Sequence, residues 1–193
     1  MSHTKNKYAA IFAMTFSVLF YFLVYVIRVE PGILANDLMA EFKMTSSTLG
    51  FMAAVLYMPY VAMQVPFGVI VDKLGVKLMT ILCGSLCVIG TFIFGSASNV
   101  EQLEIGRFLI GLGSASAFIC CGKTASEFFD KEKLSVLLGI AMFMGCLGGI
   151  TGATPTACLV SLMGWRNTTY AIASFGVLLT VLAVLFMSGK KTP

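Results

Sequence analysis

A cation and an acid lie close together near the end of the first long apolar run of this chain. The stretch VYVIRVEPGIL, residues 24–34, contains Arg28 and, two residues later, Glu30. Tyr25 and Tyr21 precede Arg28 by three and seven residues, so a helix places all three on one face. A guanidinium binds carboxylate and phosphate groups through paired hydrogen bonds, and tyrosine hydroxyls can add donors. These residues therefore indicate binding of an anion.

Two further cations fall inside apolar runs. Lys123 comes late in its run, as Arg28 does, and Arg107 precedes Lys123 by sixteen residues, about 160° around a helix. A charge within a membrane costs several kcal/mol unless it meets water, a counter-charge or a ligand. Either Arg28 and Lys123 extend to the membrane surface, or both are held inside to bind an anion. Arg107 then faces a neighbouring helix, with Glu104 as a candidate partner.

Neutral polar residues complete the candidate solute site. Tyr57 and Gln64 lie in the second apolar run and can offer hydroxyl and amide groups, although an interfacial or packing role fits the tyrosine equally well. Coupling of transport to protons normally needs a titratable acid within the spans. Glu30 is the single candidate for that role.

Residue patterns for catalysis and metal binding are missing from the sequence. It has no paired carboxylates within its apolar runs, and the single histidine, His3, lies in the N-terminal tail. The six cysteines show no CxxC or Cys/His spacing. The net charge of +4 comes without a basic, aromatic-interleaved stripe. We expect no enzymatic activity, no cofactor, no metal and no nucleic-acid partner.

The composition is that of an integral membrane protein whose partner is the lipid bilayer. Of 193 residues, 58% are hydrophobic and 11% are charged, and the mean hydropathy is +0.93. Roughly 20 helical residues span the hydrocarbon core, and six runs are long enough. They cover residues 8–34, 47–71, 78–96, 102–128, 134–163 and 168–188. These runs are longer than the strands of membrane barrels, so we predict an all-α membrane fold with six transmembrane helices.

Lysines in the short connectors predict the orientation. With six spans both termini lie on one side of the membrane, and that side has eight cations: Lys5, Lys7, Lys73, Lys77, Lys131, Lys133, Lys190 and Lys191. The other side has two, Lys43 and Arg166. Because cytoplasmic loops are enriched in lysine and arginine, both termini are predicted to be cytoplasmic.

The connector between the second and third spans carries a motif. The stretch GVIVDKLGVKLMT, residues 68–80, resembles the conserved loop of the major facilitator superfamily, written G-x-L-A-D-R-x-G-R-K/R. The matching positions are Gly68, Asp72, Gly75 and Lys77, with Lys73 in place of arginine. Val76 departs from the motif, which commonly has a second arginine there. RFLIGLGSASA from Arg107, the glycine series of residues 139–152 and GWRN at residues 164–167 are similar to further family patterns.

The resemblance implies a fold and a mechanism. Residues 1–193 would form a single six-helix domain, with inverted three-helix repeats at residues 1–96 and 97–193. This domain is one half of the family fold, and it would need a second six-helix half or a homodimer to work. The resemblance implies a secondary transporter with alternating access in the bacterial inner membrane, with Arg28 and Lys123 lining a central cavity. Gating residues would be Gly68, Asp72, Lys73, Gly75, Lys77 and Arg107.

The solute remains open among small anions. An arginine late in the first span, followed by EPGILANDLM, is similar to bacterial relatives of the lysosomal dipeptide transporter branch. Organophosphate exchangers also have an arginine at this place, so a carboxylate, a dipeptide and an organophosphate are all candidates. The alternative function is a non-transporting remnant or a regulatory membrane subunit that kept the fold.

Overall fold

The chain folds into α-helices joined by very short connectors. The computed structural model describes the backbone of residues 2–187 and the side chains of residues 10–187. Its helices are α1 (Ser2–Ile33), α2 (Ala35–Phe42), α3 (Ser46–Val55), α4 (Tyr57–Gly95), α5 (Val100–Ser114), α6 (Ala117–Phe128), α7 (Lys131–Met163) and α8 (Trp165–Phe186). In the described residues, five helical stretches are long and apolar enough to cross a membrane. The predicted all-α membrane architecture is confirmed.

The first span continues beyond its predicted end. Pro31 lies inside α1, and the backbone N–H of Leu34 donates to the carbonyl of Glu30 at 3.0 Å. The N–H of Leu38 then donates to the carbonyl of Leu34 at 2.9 Å, which leads directly into α2. Residues 36–42, expected to belong to a connector, are therefore helical. Pro31 bends the helix without ending it, because its missing N–H interrupts only one turn.

The second and third spans form one helical stretch that turns at a single glycine. Residues 46–95 cover 50 residues, which at 1.5 Å per residue is about 75 Å, more than twice the hydrocarbon thickness. Only Gly75, with φ 78° and ψ 159°, leaves helical geometry inside α4. Pro59 before it and Cys87 after it approach Gly111 and Gly113 of α5, so the two limbs of α4 fold back beside each other. The predicted connector at residues 72–77 is thus a helical elbow.

Close backbone contacts fix the second limb of α4 against α5. A Cβ at Gly106 would lie 2.8 Å from the carbonyl oxygen of Gly90, and a Cβ at Gly90 would lie 2.7 Å from that of Gly106. Only glycine allows this separation. Helices α5 and α6 then continue past a short break at residues 115–116 as one apolar stretch, Val100–Phe128. This stretch is the fourth predicted span.

Glycines of α7 pack on α1. Gly145, Gly148 and Gly152 are buried on this face, and added Cβ atoms there would clash with residues of α1. In lipid, helix association depends on such close packing, because the solvent around the helices is itself apolar. Helix α8 packs on α4, where Lys77 Nζ donates to the carbonyl of Val184 at 2.9 Å.

Two expectations about architecture stay predictions. The inverted repeat of residues 1–96 and 97–193 is one of them, and the cytoplasmic position of both termini is the other. Of the lysines used for the orientation, Lys5, Lys7, Lys190 and Lys191 lie outside the residues whose side chains are described.

Candidate functional site

Three tyrosines surround the guanidinium of Arg28. The Cζ atom of Arg28 lies 4.6 Å from the ring centroid of Tyr60, 5.0 Å from that of Tyr25 and 5.7 Å from that of Tyr57. Cation–π contacts of this kind contribute about 0.5–2 kcal/mol each, more as water is excluded. The side chain therefore points at the neighbouring helix α4. We call these four residues the Arg28 cage.

One edge of the Arg28 guanidinium is unused. Its Nε and Nη2 atoms are buried and have no hydrogen-bond partner within residues 10–187. These two nitrogens share an edge of the guanidinium plane, and their N–H bonds are parallel. These two N–H groups can donate together to both oxygens of a carboxylate, or to two oxygens of a sulfonate or phosphate. Leaving such donors buried and unpaired is costly, so the arrangement favours an incoming oxyanion.

Tyr21 supports the cage from behind. Its hydroxyl shares a hydrogen bond with that of Tyr25 at 3.1 Å, and the two rings meet edge-to-face at 5.0 Å. Gly145 of α7 makes room for this pair, because a Cβ there would lie 2.7 Å from Cε1 of Tyr21. Tyr21 is buried, so it orients Tyr25 but does not face a solute directly.

The predicted residues of α4 lie on one face of the helix. Tyr57, Tyr60 and Gln64 are one turn apart, and Tyr57 is 46% exposed. Gln64 is also exposed. Tyr57 and Tyr60 reach Arg28, whereas Gln64 has no hydrogen bond to the Arg28 cage within the described side chains. Tyr60 is therefore closer to Arg28 than Tyr57 is.

Arg107 binds the carbonyl that Pro31 leaves without a donor. Proline has no N–H to give to the residue four positions earlier, which here is Ile27. The Nη1 atom of Arg107 donates to the Ile27 carbonyl at 3.1 Å, and Nη2 reaches the carbonyl of Arg28 at 3.5 Å. Arg107 is only 2% exposed. The expected pairing with Glu104 is wrong, since the guanidinium turns towards α1 instead.

Glu30 is fully enclosed. Its side chain is 1% exposed, and the hydroxyl of Thr169 in α8 donates to its Oε1 at 2.5 Å. Glu30 lies on α1 between Arg28 and Pro31. The nearby cation that interacts electrostatically with its carboxylate is Arg107. The sequence left open that this acid was solvent-exposed, and the structure excludes that. The buried carboxylate of Glu30 is therefore electrostatically linked to Arg107.

Lys123 pairs with Asp72, close to the elbow of α4, and with Glu127 on its own helix α6. Its Nζ atom lies 2.5 Å from Asp72 Oδ1 and 3.3 Å from Glu127 Oε1. Asp72 comes three residues before the turn at Gly75. Arg28 and Lys123 both come late in their spans. The role of Lys123 in solute binding stays a prediction, and any anion there competes with two carboxylates.

The other elbow residues have distinct surroundings. Lys73 is exposed and makes no ion pair with a described side chain, while Lys77 is tied to α8 through Val184. A Cβ at Gly68 would find no atom within 4 Å, so this face of α4 is open. Gly75 is equally open but needs its positive φ, which side chains with a Cβ rarely adopt.

A second polar cluster, which the sequence analysis did not assign, lies where α2, α4 and α8 meet. Arg166 donates to Glu41 at 2.5 Å, to the carbonyl of Gly95 at 2.8 Å and to that of Ala97 at 2.8 Å. Trp165 Nε1 donates to the other oxygen of Glu41 at 2.7 Å. The hydrogen bond from Arg166 lowers the pKa of the Glu41 carboxyl from its ordinary value. We call Glu41, Trp165 and Arg166 the Arg166 cluster.

The described side chains hold no group of three or more histidines, cysteines and acids that could bind a metal. Cys83, Cys87, Cys120 and Cys121 are buried, and Cys146 and Cys158 are exposed.

Comparison with known proteins identifies a family. The sequence model of the Major Facilitator Superfamily matches residues 8–193. The protein named "Probable sulfoacetate transporter SauU" of Cupriavidus necator is 27% identical over 175 residues, which cover 91% of this chain and 40% of that protein. The "4-hydroxybenzoate transporter PcaK" of Pseudomonas aeruginosa is 32% identical over 159 residues, covering 81% of this chain and 34% of that protein.

A solved structure has the same fold. The inward-facing, unoccupied crystal structure of a bacterial homologue of the human lysosomal transporter Spinster superposes with a TM-score of 0.83 at 16% identity. The match covers 96% of this chain and 44% of that one. The chain thus spans less than half the length of the relatives that it matches.

Proposed function

The chain belongs to the Major Facilitator Superfamily, as its motifs predicted, and we propose that it forms a six-helix half of a secondary transporter for a small organic anion. It is a multi-pass protein of the bacterial inner membrane, since its relatives are bacterial transporters and its helices are long and apolar. The activity requires a second six-helix half or a second copy. Alternating access then results from the movement of the two halves relative to each other.

The open edge of Arg28 carries this proposal. Two parallel donors, buried among three aromatic rings, select a planar or tetrahedral oxyanion and reject a cation. Tyr57 is partly exposed, so rotation of its ring gives a solute access to the fork. The relatives named for sulfoacetate and 4-hydroxybenzoate transport support an acidic solute. We therefore favour carboxylates and sulfonates, with dipeptides and organophosphates as further members of the panel to be tested.

We assign the conformational role to the elbow of α4 and to Arg107. The ion pair of Asp72 and Lys123 joins the elbow to α6 and can break when the half rocks. Gly68 presents an open face on which another helix can pack. Arg107 ties α5 to the bend of α1 directly beside the Arg28 cage, so a movement of α5 reaches the cage through backbone contacts.

Glu30 is proposed as the coupling group. It shares α1 with Arg28, lies near Arg107 and is shielded from solvent. An anion bound at Arg28 adds negative charge close to this carboxylate and favours its protonation. Proton uptake that accompanies solute binding would support this role, and binding without proton uptake would remove it.

Binding of a small-anion panel to the purified chain tests the central claim. The panel contains sulfoacetate, 4-hydroxybenzoate, a dipeptide and a sugar phosphate, with an uncharged sugar as reference, and affinity is measured by calorimetry. Arg28→Ala should weaken anion binding at least about tenfold, the loss expected for a charge-assisted hydrogen-bond pair. Arg28→Lys keeps the charge but not the fork, and should recover only part of the affinity.

Lys131→Ala is the matched control. It also removes one positive charge, from an exposed position outside the Arg28 cage, and should leave the affinity unchanged. Equal affinities of wild type and Arg28→Ala would refute the anchor role. If anions bind but co-expression with a second half yields no uptake into vesicles, the non-transporting alternative is favoured.

A further inference from the structure

An apolar groove lies between the two limbs of α4. Its volume is about 380 Å³, within the range of small-molecule pockets. Phe67 and Leu74 line it from the first limb, and Met79, Leu82 and Ile89 line it from the second. Leu74, Leu82 and Ile89 are between 44% and 50% exposed, so the groove opens on the outer surface of the bundle. Its long apolar walls match a hydrocarbon chain.

Uncompensated positive charge marks one end of this groove. Lys73 and Lys77 flank Gly75, next to the groove residue Leu74. Asp72 lies beside them, but its carboxylate is engaged by Lys123 and so does little to neutralise the two lysines. Lys73 is exposed and makes no ion pair with residues 10–187. Lys77 Nζ uses one of its three donors on the carbonyl of Val184.

We propose that the elbow of α4 is a binding site for one anionic phospholipid. One acyl chain lies in the groove between the limbs, and the phosphate contacts Lys73. The elbow joins two membrane-spanning limbs, so it must lie at the bilayer surface. Lipid phosphate groups lie at the same depth. Basic residues at the end of an apolar crevice are the usual chemistry for holding anionic headgroups. The proposal is independent of the solute and of Arg28.

The apolar groove and the neighbouring lysines together indicate an anionic phospholipid as the occupant. The charge complementarity of the lysines with a phosphate distinguishes this site from the ordinary lipid contact of a convex apolar helix. A helix from another copy could also cover the groove, but it would leave Lys73 against apolar surface, which is unfavourable.

Native mass spectrometry of the purified chain tests the site. The chain is titrated with phosphatidylglycerol or phosphatidylcholine of identical acyl chains, and the dissociation constant of the first lipid is measured. We expect tighter binding of phosphatidylglycerol, and Lys73→Ala should weaken it about fivefold, the usual contribution of one lysine at an anionic surface. Lys131→Ala removes the same charge elsewhere and should have no effect.

A second pair of variants tests the groove itself. Ser85 lines it, so Ser85→Trp should fill it and weaken both lipids, while Ser85→Ala should weaken neither. Equal affinity for the two lipids, or equal effects of Lys73→Ala and Lys131→Ala, would overturn the proposal. So would a Ser85→Trp variant that keeps its lipid affinity but dimerises less, because the groove would then be a protein contact.

Discussion

Arg107 donates to the carbonyl oxygen of Ile27 at 3.1 Å, and that oxygen is the acceptor that a proline one turn later leaves without an intrahelical donor. A side chain from one span thus repairs the backbone of another. The contact therefore connects the turn of α1 around Pro31 to α5.

The first prediction uses this relationship. Arg107→Met should lower the free energy of unfolding by about 2 kcal/mol, because a buried carbonyl loses a charged donor. In a Pro31→Ala background Ile27 regains a backbone donor, so the same substitution should cost clearly less. Chemical unfolding of the four proteins in detergent gives the coupling energy. Equal costs of Arg107→Met in the two backgrounds would contradict the repair.

The second prediction concerns the ion pair at the elbow. Both side chains are partly exposed, Lys123 at 26% and Asp72 at 61%, so Asp72→Asn should destabilise the chain by less than about 1 kcal/mol. Its effect should vanish once Lys123 is replaced by methionine. Thermal unfolding of the double-mutant cycle measures this. Glu127→Gln, which removes the weaker partner at 3.3 Å, should couple to Lys123 less strongly.

The third prediction separates two glycines of α4. Gly75 has a φ of 78° and a ψ of 159°, a region essentially restricted to glycine, and an alanine there costs about 1–3 kcal/mol. Gly68 is helical and has no atom within 4 Å of an added Cβ, so Gly68→Ala should be neutral or stabilise the isolated chain by up to about 1 kcal/mol. Unfolding midpoints of both variants check the difference. A Gly75→Ala variant as stable as Gly68→Ala would show that the elbow does not require the left-handed backbone.

The fourth prediction is a pH dependence of the Arg166 cluster. The pKa of Glu41 is lowered from 4.5 in the folded chain, so the unfolded state takes up this proton first as pH falls. The stabilisation by this contact is complete above about pH 4.5 and is lost as pH falls through the folded pKa. The difference in unfolding temperature between wild type and Glu41→Gln should therefore be constant near neutral pH and shrink below about pH 4.5.

The matched control for this pH series is Asp37→Asn. Asp37 lies on the same helix α2 and is exposed, and it makes no ion pair with the described side chains. Its difference from wild type should not show the same decrease. If the two variants behave alike, the contact of Glu41 with Arg166 is not the cause.

Apolar run length and the elbow motif were enough to predict the family and an all-α membrane fold. Six spans were predicted, whereas the described residues form five long apolar stretches, because the second and third predicted spans are continuous through Gly75. Length is a strong signal in a membrane protein, because each crossing must cover the whole hydrocarbon core. Residues 36–42 were placed in a connector because they carry charges, although their apolar side chains keep helical spacing. The predicted run of residues 8–34 already passes Pro31, so the continuation itself was predictable. What no local pattern contains is the donor from α5, Arg107, that serves the carbonyl of Ile27.

The partners of charged residues could not be predicted for the same reason. Spacing along one helix suggested Glu104 for Arg107, yet the true acceptor comes from α1. Thr169, which encloses Glu30, belongs to the last helix. A usable signal did exist for the Arg166 cluster: GWRN contains the single tryptophan of the chain beside an arginine, opposite an acid in the first connector.

Because α4 turns at one glycine, no flexible connector separates its two membrane-spanning limbs. The second limb is in turn joined to α8, because Lys77 Nζ donates to the carbonyl of Val184. We expect a tilt of the first limb to be passed to the second limb and to α8 without a flexible loop between them. An epitope or protease site inserted at Gly75 would separate the two limbs of α4. The same insertion beside Asp130 would lengthen only a surface turn.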